Sequence, residues 1–104
     1  MEAEQKLRDE LVALTEALSA PDAFSDPKVG EKNRRRAELE LVAAAFDEKH
    51  LFEKQLVESN EILRGNDPEL SELAKMEIPE LEEKIIAVED RLTELLTPKD
   101  PNDH

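Results

Sequence analysis

Between Leu81 and Leu96 the apolar residues Leu81, Ile85, Val88, Leu92 and Leu95 recur at alternating intervals of four and three. No other stretch limits the fold so tightly. An interval averaging 3.5 residues places these side chains on one face of an α-helix and does not suit a strand, whose period is two. Glu82, Glu83, Lys84, Glu89, Asp90, Arg91 and Glu94 fill the opposite face. A helix with one apolar stripe is marginal alone in water, so it requires partner helices. Pro98 and Pro101 then stop it, because proline lacks the N–H that helix continuation needs.

Two other stretches supply matching stripes. Leu7, Leu11, Leu14 and Leu18 repeat the four–three–four spacing, which predicts a first helix from about Glu2 to Ser19. Ala20-Pro21-Asp22 ends it, since a residue before proline is pushed out of the helical region. Phe24, in the connector that follows, is expected to cap one end of the core. The second helix begins at Ser25-Asp26-Pro27, where Asp26 can accept from the first free amides and Pro27 suits the first helical position. It runs to Leu63 or Arg64, through Leu39, Val42, Ala43, Phe46, Phe52 and Leu56. At 1.5 Å per residue that is roughly 55 Å, the length of a hairpin arm. Gly30 weakens its opening turns, and Gly65-Asn66 is read as a left-handed stop.

Asp67-Pro68-Glu69 opens the third helix by the same capping chemistry. Leu70, Leu73 and Ala74 begin its stripe, and Pro79 falls inside the pattern. The loss of one helical hydrogen bond there predicts a kink near Met76–Pro79, or two abutting helices. The short link between Arg64 and Asp67 makes helices two and three antiparallel. The expected fold is all-α: an elongated antiparallel three-helix bundle, a long hairpin with a shorter first helix and a third helix kinked or split near Pro79. Residues 1–97 form the helical domain, and residues 98–104 form an exit linker toward downstream domains.

Composition supports a thin core. Charged residues make up 39 % of the 104, aromatic residues 3 %, and Trp and Tyr are absent. The chain has no cysteine, which excludes disulfides and thiol chemistry and suits a reducing cytoplasm. No apolar run approaches the roughly 20 residues of a membrane span. The acidic start, Met1-Glu2-Ala3-Glu4, argues against signal and transit peptides. A formal net charge of −13 repels nucleic acid over most of the surface and favours basic partners.

The inventory of reactive groups is poor. His50, among Glu48, Lys49 and Glu53, is expected to face solvent, and the other histidine is His104. Calcium-type Asp spacing is missing, and Glu pairs such as Glu77 with Glu80 lack the Glu-x-x-His pattern of a di-iron bundle. Gly30 and Gly65 form no phosphate loop. The sequence therefore predicts no enzyme, no metal and no cofactor. One segment opposes the acidic background. Between Pro27 and Ala37, Lys28, Lys32, Arg34, Arg35 and Arg36 face a single Glu31, a net of 5 − 1 = +4. These five are the candidate contacts to RNA phosphate or an acidic protein surface. The alternative is that they pair with glutamates of helices one and three, or are simply solvated.

Three segments together are more specific than any of this. Ser25-Asp26-Pro27, then a long helix, then Asp67-Pro68-Glu69-Leu70, then Leu95-Leu96-Thr97-Pro98-Lys99-Asp100-Pro101-Asn102-Asp103 resembles the N-terminal domain of the bacterial release factor 1 family of class I peptide chain release factors. The leucine run followed by Pro-Lys-Asp-Pro is the most specific part; the related factor for the other stop-codon pair lacks that string. Thr97, Gly30 and the Arg34–Arg36 run depart from the family pattern. The resemblance implies a domain of a cytoplasmic termination factor that recognises stop codons and promotes peptidyl-tRNA hydrolysis. It implies docking at the base of the large-subunit stalk of the ribosome, to protein more than to RNA, and an encounter with a recycling translational GTPase. Membrane and DNA are not implied partners. The family's catalytic Gly-Gly-Gln and codon-reading Pro-x-Thr tripeptides do not occur in these 104 residues, so the chain is expected to be non-catalytic. The rival reading is an unrelated acidic coiled-coil interaction or assembly protein.

Overall fold

Helices begin where the sequence offers an acceptor to their free amides. In the computed structural model, which describes residues 2–97, α1 spans Glu2–Ser19, α2 Val29–Arg64 and α3 Pro68–Leu96, with a 3₁₀ turn at Ala23–Ser25. No strand occurs among the described residues. The Asp67 carboxylate accepts from the amides of Glu69 (3.0 Å) and Leu70 (3.2 Å), and Pro68 occupies the first turn, where no N–H is missed. Ahead of α2 the Asp26 carboxylate accepts from the Lys28 amide at 2.9 Å. The α-helix nevertheless starts at Val29, two residues after Pro27. The entering turn closes through a short-range bond from the Val29 amide to the Asp26 carbonyl (3.1 Å), so it is tighter than an α-turn.

The end of α2 corrects another expectation. No glycine among the described residues has a positive φ, so Gly65 is not a left-handed stop. Its amide instead donates to the Ile62 carbonyl at 3.0 Å, a 3₁₀-type closure. A Cβ at Gly65 would stand 3.2 Å from that same carbonyl oxygen. Glycine serves here for close backbone approach rather than for φ. The string Pro98–Asp103, and with it the proposed exit linker, lies outside the described residues.

The chain forms two compact units, residues 1–44 and 45–104. In the first, Arg35 of α2 reaches Glu10 of α1, and the intervening turn makes the two segments antiparallel. Ala23, Leu39 and Val42 are buried, whereas the α1 stripe of Leu7, Leu11, Leu14 and Leu18 is only half-buried. Phe24 is 90 % exposed and caps nothing. The 3₁₀ turn carries Ala23 inward, and Phe24 in consequence points out.

In the second unit, five contacts give the direction of α2 against α3. Glu48 meets Arg91 (3.1 Å) and Lys49 meets Glu89 (3.5 Å). The Lys84 ammonium lies 5.6 Å from the Phe52 ring centroid. The hydroxyls of Ser59 and Ser71 donate to Glu77 (3.3 Å) and to the Ile62 carbonyl (3.5 Å). Numbers rise along α2 as they fall along α3, so the pair is antiparallel. The seam along α3 consists of buried Ala74, Leu81, Val88 and Leu92 alternating with half-buried Ile78, Ile85 and Leu95. Helix α3 is not split at Pro79: it is one α-helix from Pro68 to Leu96. Proline removes one backbone bond at a cost of about 3 kcal/mol. Burial of Ala74 before it and Leu81 after it holds both halves in one helix, while Pro79 itself is exposed.

Candidate functional site

The five cations singled out from the sequence sit in the turn before α2 and in its first turns, and the helix sorts them by direction. Arg35 forks onto Glu10, with Nε donating to Oε2 at 2.7 Å and a terminal nitrogen donating to Oε1 at 3.0 Å. It also reaches Glu38 at 3.4 Å. Such a bidentate guanidinium–carboxylate pair is the strongest geometry available to surface charges. The Lys32 ammonium bonds the Asp26 carboxylate at 2.5 Å, and Arg36 approaches Glu40 at 3.6 Å, with its Nε buried and unbonded. Lys28 and Arg34 are exposed, and neither side chain makes a hydrogen bond or close ion pair among the described residues, although the Lys28 charge acts on Asp26. Arg34 lies in a shallow depression of about 190 Å³ lined by Glu31, Arg35 and Glu38.

Electrostatics follow the geometry. The hydrogen bond from Arg35 holds the Glu10 carboxyl below its ordinary value, outweighing the opposing effect of burial. Glu10 in turn raises Arg35. Asp26 is lowered chiefly by Lys32 and then by the Lys28 amide. Counting carboxylates that the fold brings to the cluster removes its net charge. Against Lys28, Lys32, Arg34, Arg35 and Arg36 stand Glu10, Asp26, Glu31, Glu38 and Glu40, so 5 − 5 = 0. The local +4 read along the chain is neutralised in space. Glu10 is 25 residues from Arg35, and no short-range pattern signals that pairing. Asp26 was visible as a cap but not as a partner for Lys32.

Elsewhere, His50 is exposed as expected and lies 3.4 Å from Glu53. Among the described residues no group of His, Cys, Asp and Glu is placed to hold a metal ion. No helix among them is long and apolar enough to cross a membrane. A groove of about 340 Å³ between α2 and α3 is lined by Gln55, Glu58, Ser59, Ile62, Glu77, Glu80, Leu81 and Lys84. The sequence shows Glu77 and Glu80 as a solvated face; the fold adds a buried Ser59 bonded to Glu77.

The described residues are helical apart from short turns, with charged flanks and a narrow apolar seam. The profile of the PCRF domain family matches residues 7–104, and the chain belongs to that family. Among curated proteins it is similar to peptide chain release factor 1 of Clostridioides difficile (strain 630), with 41 % identity over 99 residues, 93 % of this chain and 28 % of that protein. Peptide chain release factor 1 of Alkaliphilus oremlandii (strain OhILAs) is 41 % identical over 103 residues, 96 % of this chain and 28 % of that protein. The Geobacillus kaustophilus (strain HTA426) protein of the same name is 40 % identical over 92 residues, 86 % and 26 % respectively. The chain thus spans somewhat over a quarter of the length of these relatives. No solved structure matches it.

Proposed function

We propose that this chain is the N-terminal interaction domain of a translation termination factor. The supporting observation is the PCRF match over residues 7–104, together with similarity to peptide chain release factor 1 over almost the whole chain. In this reading residues 1–97 are the domain, and 98–104 lead into the parts that read the stop codon and promote peptidyl-tRNA hydrolysis. The chain itself is non-catalytic, works in the cytoplasm, and helps the factor dock at the stalk base and meet a recycling translational GTPase. A charge of −13 favours basic ribosomal protein over bare RNA as the principal contact. Any phosphate contact from the cation cluster falls to Lys28 and Arg34, because Lys32, Arg35 and Arg36 are engaged within the fold.

Ribosome binding by a full-length factor carrying this chain tests the reading. Replacing Lys28 and Arg34 together with Ala is expected to weaken binding and to flatten its dependence on salt by about one to two counterions. Unchanged affinity and slope would remove the cluster from the interface. Deleting residues 1–97 from that factor is expected to weaken ribosome binding while the isolated chain releases no peptide. Normal binding by the truncated factor, or release by the chain alone, would overturn the assignment.

A further inference from the structure

We infer that one face of the α2–α3 hairpin, built from Ile62, Leu70, Leu73 and Met76 and continuing into Glu58, Glu77 and Glu80, is a docking surface for a basic amphipathic protein helix. Leu70, Leu73 and Met76 stand three residues apart, so they are neighbours along one side of α3. They are 47 %, 55 % and 70 % exposed. The seam of Ala74 and Leu81 already supplies the core of this region, so the row is not used by the hairpin itself. Ile62, 36 % exposed, lines the groove from α2, and its carbonyl accepts from the Ser71 hydroxyl beside the row.

The row continues into carboxylates. Leu73 and Glu77, and Met76 and Glu80, are four residues apart and therefore adjacent on the helix. Glu58 faces them across the groove. Glu58 and Glu80 have no partner among the described residues, and Glu77 has only the Ser59 hydroxyl. Lys84, the one cation of the groove, is held over Phe52. Exposed leucine and methionine beside unneutralised carboxylates complement a helix that carries apolar anchors and flanking Lys or Arg. Methionine adapts to varied anchors. Nucleic acid fits poorly, since its phosphates would meet three carboxylates. A second copy fits poorly for the same reason, since it would bring a like-charged face. The inference gives the termination-factor reading a chemistry for its basic partner and rests on that reading only for the partner's identity. Peptide binding tests the surface, and ribosome binding tests the reading.

The experiment titrates the whole chain into a fluorescein-labelled helical peptide with leucine on one stripe and lysine on its flanks. A scrambled peptide of the same composition and a version with glutamate in place of lysine serve as controls. Saturable binding of the striped basic peptide alone is expected. Leu73→Ser with Met76→Ser should weaken it at least tenfold. Glu77→Gln with Glu80→Gln should weaken it less and reduce its salt dependence. All four side chains are exposed, so circular dichroism should show both variants folded. Equal binding of the scrambled or acidic peptide, or unchanged binding by both variants, would overturn the proposal. So would dimerisation of the chain that the Leu73→Ser, Met76→Ser variant abolishes, because the occupant would then be a second copy.

Discussion

Helices α1 and α3 carry the same leucine-type spacing, yet the structure treats them differently. In residues 45–104, α3 buries Ala74, Leu81, Val88 and Leu92. In residues 1–44, no residue of α1 is buried, and Leu7, Leu11, Leu14 and Leu18 stay half-open. In the first region α1 is tied to α2 by the bidentate Arg35–Glu10 pair. Periodicity identifies the face that turns toward neighbours. How deeply that face is covered depends on how many neighbours the fold places over it, and the apolar free energy scales with the area covered, at roughly 25 cal/mol per Å².

Five substitutions sharpen or break this contrast. Val88→Asp should have the largest effect. It places an unpaired carboxylate at a site 1 % exposed and should cost several kcal/mol in urea melts. A small loss would mean that the α3 seam is as open as the α1 stripe. Pro79→Ala should act in the opposite direction, stabilising by up to about 3 kcal/mol. Pro79 is exposed, so little packing is lost, and the helix gains an amide donor. Destabilisation would show that the ring is needed for packing or for the unfolded-state entropy it removes.

Leu11→Ala should cost about 1 kcal/mol, well below the roughly 2–5 kcal/mol of a buried leucine, which Leu92→Ala should approach. Equal losses at the two sites would abolish the contrast. The smallest effect belongs to Glu10→Gln. Because folding lowers the Glu10 pKa, its stabilisation is present above the ordinary carboxylate value and lost as pH falls through the lowered one. Both side chains of the pair are over 40 % exposed, so solvent screening leaves less than about 1 kcal/mol near neutral pH. Parent and variant melts should converge in acid and in high salt. A difference that persists at low pH would assign the effect to packing rather than charge.

Much of the fold was legible in the chain. Helix α1 occupies the expected Glu2–Ser19, α2 ends at Arg64 as read, and Asp67 caps α3. These features depend on residues within a turn of each other, where capping and periodicity act. The expectations that failed concern what a local signal is used for. Phe24 looked like a core plug but points outward, and Gly65 looked like a left-handed stop but permits a close carbonyl contact. Of the kink or split read at Pro79, only the split is excluded, because α3 is one helix with buried residues on both sides of the proline.

The candidate site divides along the same line. The sequence by itself determined three helices, the Asp67 cap of α3, the antiparallel hairpin implied by a short link, and the acidic net charge. Those follow from bonds and periodicities spanning a few residues, or from charge that is additive along the chain. Tertiary structure alone decided that Glu10 neutralises Arg35, leaving Lys28 and Arg34 exposed, and that Leu70, Leu73 and Met76 stand uncovered beside Glu77 and Glu80. Coulomb energy and burial depend on distance in space, and folding brings together residues that the sequence holds 25 positions apart.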